Sequence, residues 1–264
     1  MADQVLNVDT PRHPTERQDT ILQLAREQGR VEVAALAEAF NVTTETVRRD
    51  LSDLQRRRLL RRVHGGAVLW SSDGYEPLIS QRTSRNTLEK ERIAAAAAAE
   101  LPPEGTVLLD SGTTTSRIVP HLAADLDLTI VTNSVVAAQL LADHRGVRVF
   151  VLGGSFDKQT LAMVGEQTVA AVRRMRVDTL LLGTDGISVE GGLTTPHPNH
   201  AELKQTMVAA ARRVVLLADA SKVGHDHFLR FAHLEQIDTL ITDIGLGDAD
   251  ERRFENHGMT VLRV

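Results

Sequence analysis

The sequence predicts an α/β protein in which a small, mainly helical N-terminal module precedes a larger domain built on a mostly parallel β-sheet. Apolar residues recur at helical spacing over residues 17–57, and seven short apolar runs alternate with helical stretches over residues 106–264. A polar, turn-rich stretch separates the two regions. We therefore expect domains at residues 15–70 and 88–264, joined by a linker at residues 71–87.

Three helices are expected in the N-terminal module. The first spans Arg17–Gln28 and stops at Gly29, and a second short helix follows Val31. The third begins near Thr44, where the hydroxyl of Thr43 or Thr44 caps the first turn, and ends near Arg57. The side chains expected to pack between the helices are apolar and fall on one face of each helix: Ile21, Leu22, Leu24, Ala25, Val33, Leu36, Ala37, Phe40, Val47, Leu51 and Leu54.

Two short runs, Leu59–Arg62 and Ala67–Trp70, flank Gly65-Gly66 and predict a β-hairpin. Three helices and a hairpin form a winged helix-turn-helix, whose third helix enters the major groove of double-stranded DNA through its N-terminal, outward part. Arginine there bonds guanine and threonine bonds phosphate or touches a thymine methyl group, while arginines further along bond phosphate. The expected DNA-binding residues are Thr43, Thr44, Thr46, Arg48, Arg49, Arg56, Arg57, Arg61, Arg62 and His64. The alternative is a three-helix protein-binding module with a solvated arginine face.

The charge distribution agrees with contact to DNA through the first domain. The chain has a net charge of −5, yet residues 12–70 carry 11 basic against 8 acidic residues. Positive charge is thus concentrated in a module attached to an acidic body. The aromatic content of 3% argues against base-stacking platforms of the kind that bind single strands.

Cysteine usage and the absence of targeting patterns favour a cytoplasmic protein. The chain has no cysteine, which removes disulfides and thiolate chemistry and fits a reducing compartment. Residues Met1–Pro14 are polar and lack the pattern of a signal peptide. No apolar run approaches the roughly 20 residues needed to span a bilayer.

The N-terminal module resembles a known family. Residues 31–51, VEVAALAEAFNVTTETVRRDL, are similar to the DNA-binding signature of the DeoR family of bacterial repressors, and residues 59–67, LLRRVHGGA, are similar to the wing of that family. The most telling parts are Val47–Leu51 and His64–Ala67. Within the first part, Asp50 either orients an arginine, meets a neighbouring helix or stands free on the helix surface.

The second domain is expected to contain a helix over Leu88–Leu101 and seven strands. Because the strands are continuous apolar runs separated by helical stretches, they predict a largely parallel sheet that is covered on both faces. The expected strands are Thr106–Leu109, Leu128–Val131, Val147–Leu152, Thr179–Leu182, Val214–Ala218, Thr239–Thr242 and Thr260–Val264. Ligands of such sheets bind beyond the carboxyl ends of the strands.

Polar motifs follow five of these strands, at residues 110–115, 132–134, 153–155, 183–186 and 219–222. Glycine turns, hydroxyl groups and the amides at a helix start hold anions. The set therefore predicts a pocket for a phosphorylated polyol rather than five unrelated turns. The expected ligand-binding residues are Asp110, Ser111, Gly112, Thr113, Thr114, Asn133, Ser134, Gly153, Gly154, Asp185, Glu202 and Lys222.

Within this set, Asp185 and Glu202 are expected to accept sugar hydroxyl groups, and Lys222 is either a charge partner of the phosphate or a surface lysine. No dinucleotide-binding or phosphate-loop pattern occurs, so we expect no cofactor. His197 and His200 either contact the ligand or are exposed in a polar loop. We expect no metal, because no further acid or histidine stands at convincing metal-ligand spacing.

The strand-end motifs also resemble the C-terminal sensor domain of DeoR-type regulators, so that the resemblance covers residues 17–264. It implies the fold of ribose-5-phosphate isomerase and a phosphorylated sugar as the effector. A sugar-phosphate isomerase is the alternative function. Leu182 and Glu190 stand where that enzyme has aspartate and lysine, whereas Glu202 remains a candidate for its base. Because isomerisation needs a base and stabilisation of the enediolate charge, we expect no enzymatic activity.

These observations together predict a repressor of a carbohydrate-utilisation operon that a phosphorylated sugar relieves. One small DNA-binding module rarely provides enough specificity, so we expect a homodimer or homotetramer on double-stranded operator DNA.

Overall fold

The computed structural model describes residues 14–28, 30–57, 59–63, 65–69 and 79–264. The chain separates into two compact units with a boundary between Pro77 and Leu78. In the described parts of the chain, no helix is long and apolar enough to cross a membrane.

The N-terminal unit contains the three expected helices and the expected hairpin. Its elements are α1 (Pro14–Gln28), β1 (Arg30–Glu32), α2 (Val33–Ala39), α3 (Thr44–Arg56), β2 (Leu60–Val63) and β3 (Gly66–Leu69). The predicted winged helix-turn-helix is confirmed in its helices and in the pairing of β2 with β3. Its interior is formed by the predicted apolar side chains, together with Val31, Leu60 and Ala67.

A third strand, β1, extends the hairpin and was not predicted. It pairs antiparallel with β3, with Val31 opposite Ala67, so the sheet order is β1-β3-β2. A Cβ atom on Gly66 would lie 2.1 Å from the carbonyl oxygen of Val31, so a glycine is needed for the close approach of the two strands. Three residues are too few to produce a recognisable strand pattern in a sequence.

The turn between α2 and α3 follows from local chemistry. Asn41 takes a left-handed conformation with φ of 50°, which ends α2, and the backbone N–H of Val42 returns to the carbonyl of Ala37 at 3.0 Å. The hydroxyl of Thr43 then accepts a hydrogen bond from the N–H of Thr46 at 3.2 Å. Thr43 is therefore the N-cap of α3, one of the two residues expected in that role.

The C-terminal unit has a larger set of elements. In chain order they are α4 (Ile79–Ser84), α5 (Thr87–Ala99), β4 (Glu104–Leu109), β5 (Asp127–Thr132), α6 (Val135–Leu141), β6 (Val147–Val151), β7 (Ser155–Asp157), β8 (Ala162–Val164), α7 (Glu166–Arg173), β9 (Val177–Gly183), β10 (Gly186–Ser188), β11 (Gly192–Thr195), α8 (Pro198–Ala210), β12 (Ala211–Leu217), β13 (Leu229–Ala232), β14 (Thr239–Thr242), α9 (Asp248–Glu255) and β15 (Thr260–Arg263).

A seven-stranded sheet with the order β15-β14-β12-β9-β4-β5-β6 forms the centre of this unit. Every neighbouring pair is parallel, so the seven predicted strands and their predicted direction are confirmed. Successive residues enter different apolar clusters: Leu180 and Leu182 join one cluster, whereas Leu181 joins the other. Both faces of the sheet are therefore covered, as parallel sheets require.

Two small antiparallel sheets, β10-β11-β13 and β7-β8, were not predicted. Their strands have three or four residues and lie directly beyond the carboxyl ends of the large sheet. They border the region where the polar motifs were expected to meet.

Two further differences affect the site. The helix after residues 110–114 is a 3₁₀ helix, Thr115–His121, and contains Pro120, whose ring nitrogen carries no hydrogen for a helical bond. Residues 79–84, expected as part of a linker, form α4 within the C-terminal unit.

Candidate functional site

The exposed face of α3 carries the residues expected to read DNA bases. Val47, Leu51 and Leu54 are fully buried on one side of the helix, whereas Arg48 and Arg49 are exposed on the other. Four of the five predicted base-reading residues are exposed, and the fifth is half-buried: Thr43, Thr44, Thr46, Arg48 and Arg49. The structure thus brings this group together on one surface at the start of the helix.

The arginines expected to bond phosphate are exposed but have partners within the chain. Arg56 pairs with Asp53, the guanidinium of Arg57 donates to Gln18 at 3.2 Å, and that of Arg62 donates to the hydroxyl of Ser52 at 3.3 Å. The contacts of Arg56 and Arg62 lie at the surface and are weak, so they exchange readily with other partners, whereas the partner of Arg57, Gln18, is buried. The predicted contacts of the Arg61 side chain and of His64 lie outside the described residues.

A buried ion pair holds the recognition helix in place. The Nε of Arg17 in α1 lies 2.6 Å from Oδ2 of Asp50, and a second guanidinium nitrogen donates to Oδ1 at 3.2 Å. The amide of Gln18 also donates to Oδ1, at 3.4 Å. Asp50 is 4% exposed, so the free surface position is excluded and the aspartate both orients an arginine and meets a neighbouring helix. Because Asp50 follows Arg49 directly, this pair anchors the part of α3 that carries the predicted base-reading residues.

At the carboxyl ends of the large sheet, a buried lysine joins two of the predicted motifs. The ammonium of Lys204 in α8 bonds the carboxylate of Asp110 and donates to the carbonyl of Gly183 at 2.9 Å. The N–H of Gly183 donates to the same carboxylate at 3.0 Å. The pair is almost completely enclosed, with 6% of the lysine side chain and 1% of the aspartate side chain exposed. Asp110 is therefore already neutralised within the fold.

The sequence analysis missed Lys204 and named Lys222 instead. The missed signal was a lysine on an otherwise buried face of α8, next to Leu203 and close to Met207. A lysine in such a place requires a buried acid, and Asp110 supplies it. Lys222 is partly exposed at the next strand end, where burial lowers its pKa while the charge of Asp185 opposes that change.

Asp185 is the second charged centre at the strand ends. Its Oδ1 lies 3.3 Å from a guanidinium nitrogen of Arg82 in α4, and its Oδ2 accepts a hydrogen bond from the hydroxyl of Thr195 at 2.7 Å. Burial raises the pKa of Asp185, but the charges of Arg82, Lys204 and Lys222 outweigh it and lower the pKa to about 2. The carboxylate is thus ionised at neutral pH.

Several predicted ligand residues are used by the fold itself. The amide oxygen of Asn133 accepts the N–H of Ser111 at 2.9 Å, and its amide nitrogen donates to the carbonyl of Met163 at 3.2 Å. The carbonyl of Gly153 accepts the hydroxyl of Thr168 at 2.7 Å. Two further members of the predicted set also accept hydrogen bonds within the chain: the carbonyl of Gly112 accepts the N–H of Ser116 at 3.1 Å, and that of Thr114 accepts the N–H of Arg117 at 3.1 Å. Thr113 lines a cavity.

Gly154 lies beside the same threonine. A Cβ atom on Gly154 would lie 2.1 Å from the hydroxyl oxygen of Thr168, and its φ is 150°. A side chain is excluded at this position for a packing reason, whether or not a ligand binds nearby.

A cavity of about 700 Å³ opens beside the loop at residues 110–115. Its lining combines hydroxyl and apolar groups with one arginine and one glutamate: Ile79, Thr83, Glu91, Gly112, Thr113, Ser116, Arg117, Pro120, Ser134, Val136, Leu140, Thr160 and Leu161. Three residues of the predicted ligand set, Gly112, Thr113 and Ser134, are brought together here. Asp185 and Lys222 lie outside this lining.

Arg117 is the cationic group of the cavity and was also missed by the sequence analysis. One guanidinium nitrogen donates to Glu91 at 2.9 Å and the other to the backbone carbonyl of Thr83 at 3.1 Å. Its Nε is enclosed and has no hydrogen-bond partner among the described residues. Arg117 lies inside the 3₁₀ helix that follows the expected anion-binding loop, so position alone did not distinguish it from a surface arginine.

Glu202 is not brought to the strand ends. Its side chain is 57% exposed on α8 and pairs with Arg173 at 3.2 Å. His200, two residues earlier, is buried instead, with its Nε2 2.9 Å from Asp157 and 3.3 Å from the hydroxyl of Thr160. Among the residues that the structure describes, no group of three or more acids and histidines is arranged to hold a metal ion.

Comparison with known proteins covers both units. Residues 17–73 match the family model of the DeoR-like helix-turn-helix domain, and residues 85–244 match that of the DeoR C terminal sensor domain. Among solved structures, ribose 5-phosphate isomerase A from Methanocaldococcus jannaschii is similar, with a TM-score of 0.39 and 17% identity over 52% of this chain and 55% of that chain.

Curated relatives match over nearly their whole length. The HTH-type transcriptional regulator GlpR of Haloferax volcanii is 39% identical over 251 residues, which are 94% of this chain and 97% of the relative. The glycerol-3-phosphate regulon repressor of Escherichia coli K12 is 33% identical over 229 residues, which are 87% of this chain and 90% of the relative. The chain therefore belongs to the DeoR family of transcriptional regulators.

Proposed function

We propose that this regulator is a repressor of a carbohydrate-utilisation operon, and that a phosphorylated sugar bound at the carboxyl ends of the large sheet relieves the repression. The observation that carries the proposal is the cavity beside residues 110–115, because hydroxyl groups, a glycine turn and Arg117 surround it. The name of one relative, the glycerol-3-phosphate regulon repressor, supports a small phosphorylated polyol as the ligand class.

The DNA-binding half of the proposal rests on the exposed face of α3. Arg48 and Arg49 are held outward by the buried Arg17–Asp50 pair, in the part of the helix that enters a major groove. Arg56 and Arg62 have surface partners, which phosphate oxygens replace at little cost, whereas exposed Arg57 donates to the buried Gln18. Base contacts then come from α3, and most of the affinity comes from phosphate contacts.

The effector half rests on two separate charge environments. Beside the cavity, the enclosed Nε of Arg117 carries a hydrogen that has no partner among the described residues, and the guanidinium charge favours an anion such as phosphate. The negative charge of Asp110 is matched by Lys204, so it does not repel an anion at the adjoining loop. Ionised Asp185 accepts hydroxyl groups of the polyol.

The arrangement does not favour isomerase chemistry. Glu202, the candidate base, is exposed and paired with Arg173 rather than directed at the strand ends. Glu190 pairs with Arg253 at 2.9 Å, and both side chains are at least half exposed. A general base must lie within hydrogen-bond reach of the proton that it removes. We therefore propose ligand binding without turnover.

We further propose that the protein works in the cytoplasm as a homodimer or homotetramer. A single helix-turn-helix contacts only one half-site, and two copies are needed to read a palindromic operator.

The test combines DNA binding with a screen of candidate effectors. The full chain is titrated onto DNA from upstream of its own gene, with and without glycerol 3-phosphate, ribose 5-phosphate, glucose 6-phosphate and inorganic phosphate. We expect salt-dependent, sequence-preferring binding that one phosphorylated polyol weakens and inorganic phosphate leaves unchanged. Conversion of ribose 5-phosphate to its ketose isomer would support the enzyme instead.

The paired substitution Arg48→Ala and Arg49→Ala tests the recognition surface. Each good arginine–guanine contact contributes about 1–3 kcal/mol of discrimination, so the double variant should lose its preference for the operator over random DNA. Thermal unfolding should be unchanged because both side chains are exposed. Continued protection of the same DNA site by the double variant would show that α3 does not read the bases.

A further inference from the structure

The described contacts between helix α4 and the sensor domain are mainly polar. No described side chain of α4 belongs to either apolar cluster of the C-terminal unit. Instead, Arg82 contacts Asp185 at 3.3 Å, Arg117 donates to the carbonyl of Thr83 at 3.1 Å, and the ammonium of Lys90 donates to the carbonyl of Arg82 at 2.5 Å. An element held in this way is released by breaking a few hydrogen bonds rather than by exposing apolar surface.

The groups that hold α4 are also used in the proposed function: Arg117 lines the cavity, and Asp185 lies outside that lining. Asp185 and Arg117 are the two charged residues proposed to receive the hydroxyl groups and the phosphate. Ile79 and Thr83 form part of the cavity wall. Any molecule that occupies the cavity and bonds Asp185 therefore competes directly with the attachments of the helix.

The Arg82–Asp185 contact is the longer of the two described contacts of this carboxylate. At 3.3 Å it is longer than the 2.7 Å bond from Thr195, and longer than a strong charge-assisted bond. Lys204 and Lys222 also face the carboxylate and keep it ionised if Arg82 leaves. The contact can thus open while Asp185 remains a charged acceptor for hydroxyl groups.

We infer that Arg82 and Asp185 form a latch that holds α4 on the sensor domain, and that effector hydroxyl groups open it by taking the place of Arg82. The identity of the opening ligand rests on the proposed function, whereas the latch itself rests on the contacts of α4. In chain order, α4 is the next element after β3 of the DNA-binding unit. We expect the state in which α4 is released to be the one with lower operator affinity.

Such a latch makes Arg82 a positioning residue for the effector response. A ligand shifts the latch only by the difference between its affinities for the two states, and DNA must weaken ligand binding by the same factor. Couplings of this kind are typically about 5–150-fold. Opening the latch by substitution should therefore reproduce the effect of the ligand in its absence.

The first experiment measures operator affinity without any ligand, on the full chain. Arg82→Gln and Asp185→Asn should each weaken binding to the upstream DNA by about fivefold or more. The double variant should bind no more weakly than the weaker single variant, because both changes open one latch. Arg92→Gln, at an exposed arginine of α5, is the matched control and should leave affinity unchanged.

Hydrogen exchange separates release of α4 from general destabilisation. In Arg82→Gln, amides of residues 79–84 should exchange faster, while those of β9 and β12 keep their wild-type rates. Arg82→Lys, which keeps a positive charge, should restore part of the operator affinity. Wild-type operator affinity in Arg82→Gln, or losses that multiply in the double variant, would overturn the latch even if the protein responds to sugar phosphates.

The second experiment measures the response to the ligands used in the screen. Wild-type and Arg82→Gln proteins are titrated with glycerol 3-phosphate and ribose 5-phosphate, in the presence and absence of DNA. Arg82→Gln should bind the active ligand at least as tightly as wild type, yet its operator affinity should hardly change on addition of ligand. If no sugar phosphate affects the wild-type protein, the proposed effector class is wrong. The comparison of operator affinity between the single and double variants without ligand still tests whether the latch exists.

Discussion

The two units of this chain arrange their charges in opposite ways. In the DNA-binding unit, the proposed recognition side chains Arg48 and Arg49 are exposed, and the Arg17–Asp50 pair is buried beneath them. In the sensor unit, the groups at the site are themselves buried or partly buried and already paired. The first arrangement presents a fixed surface to a partner, whereas the second requires a ligand to exchange one set of partners for another.

Because of this difference, we expect that breaking an ion pair has different consequences in the two units. A buried ion pair that no ligand displaces has a structural role only. Breaking it therefore lowers the stability of its unit. A pair at the ligand site is a competitor of the ligand, so breaking it changes the response as well. Substitutions in the two units should therefore separate stability from regulation.

The largest effect is expected at the buried pair of the DNA-binding unit. Asp50→Ala leaves the guanidinium of Arg17 enclosed without its carboxylate, and removal of one partner of such a pair costs about 3–5 kcal/mol. The N-terminal unit should then melt at a lower temperature than the sensor unit, and operator binding should be lost with it. Differential scanning calorimetry resolves the two transitions.

Asp53→Ala is the matched control for this substitution. Asp53 also pairs with an arginine on α3, but the Arg56 side chain is 79% exposed, so the pair contributes little. Equal destabilisation by the two substitutions would show that burial of the Arg17–Asp50 pair does not determine its contribution.

A smaller effect is expected at the cationic group of the cavity. Arg117→Gln removes the charge while keeping part of the volume, and hydrogen bonds to charged groups are typically worth about 1.5–3 kcal/mol. We expect the affinity for the active sugar phosphate to fall by roughly ten- to a hundredfold, with operator affinity in the absence of ligand less affected. Isothermal titration calorimetry measures the ligand affinity directly.

Arg173→Gln provides the comparison for Arg117→Gln. Arg173 lies on α7 and pairs with Glu202 on an exposed surface away from the cavity lining. Its substitution should leave ligand affinity unchanged. If Arg173→Gln weakened the ligand and Arg117→Gln did not, the phosphate would have to bind near Glu202 instead of in the cavity.

The sequence was a good guide to regular structure because long elements repeat their pattern. All seven strands of the parallel sheet were predicted from continuous apolar runs, and the three helices of the first unit were predicted from apolar periodicity with a cap or a turn residue. Short strands such as β1 and β10 were missed, because three residues do not establish a period. The sequence did not distinguish the 3₁₀ helix at Thr115–His121, which contains Pro120, from an α-helix.

The site was less predictable because its pairings join distant parts of the chain. The strand-end loops were found from their glycines and hydroxyl groups, but Lys204 lies 94 residues from Asp110, with which it pairs. Arg82 was assigned to a linker, although it contacts Asp185 103 residues later. The partners of such charged residues are identified only when the fold shows which of them are buried together.

The smallest effect concerns His200, a buried group of the sensor unit that is paired but carries no proposed contact with ligand. Burial lowers its pKa below 6.5, and the hydrogen bond to Asp157 opposes this shift without cancelling it. The unfolded chain therefore binds a proton more readily than the folded one, so stability should fall as the pH drops below about 6.5 and level off below the folded pKa.

NMR titration of the His200 ring should give a pKa below 6.5, and Asp157→Asn should lower that pKa further. In His200→Gln, the loss of thermal stability between about pH 6.5 and 5 should be smaller than in wild type. A His200 ring that titrates above 6.5 would mean that its ion pair with Asp157 outweighs burial. The histidine would then belong with the paired charges that a ligand can displace, rather than with the groups that have a structural role only.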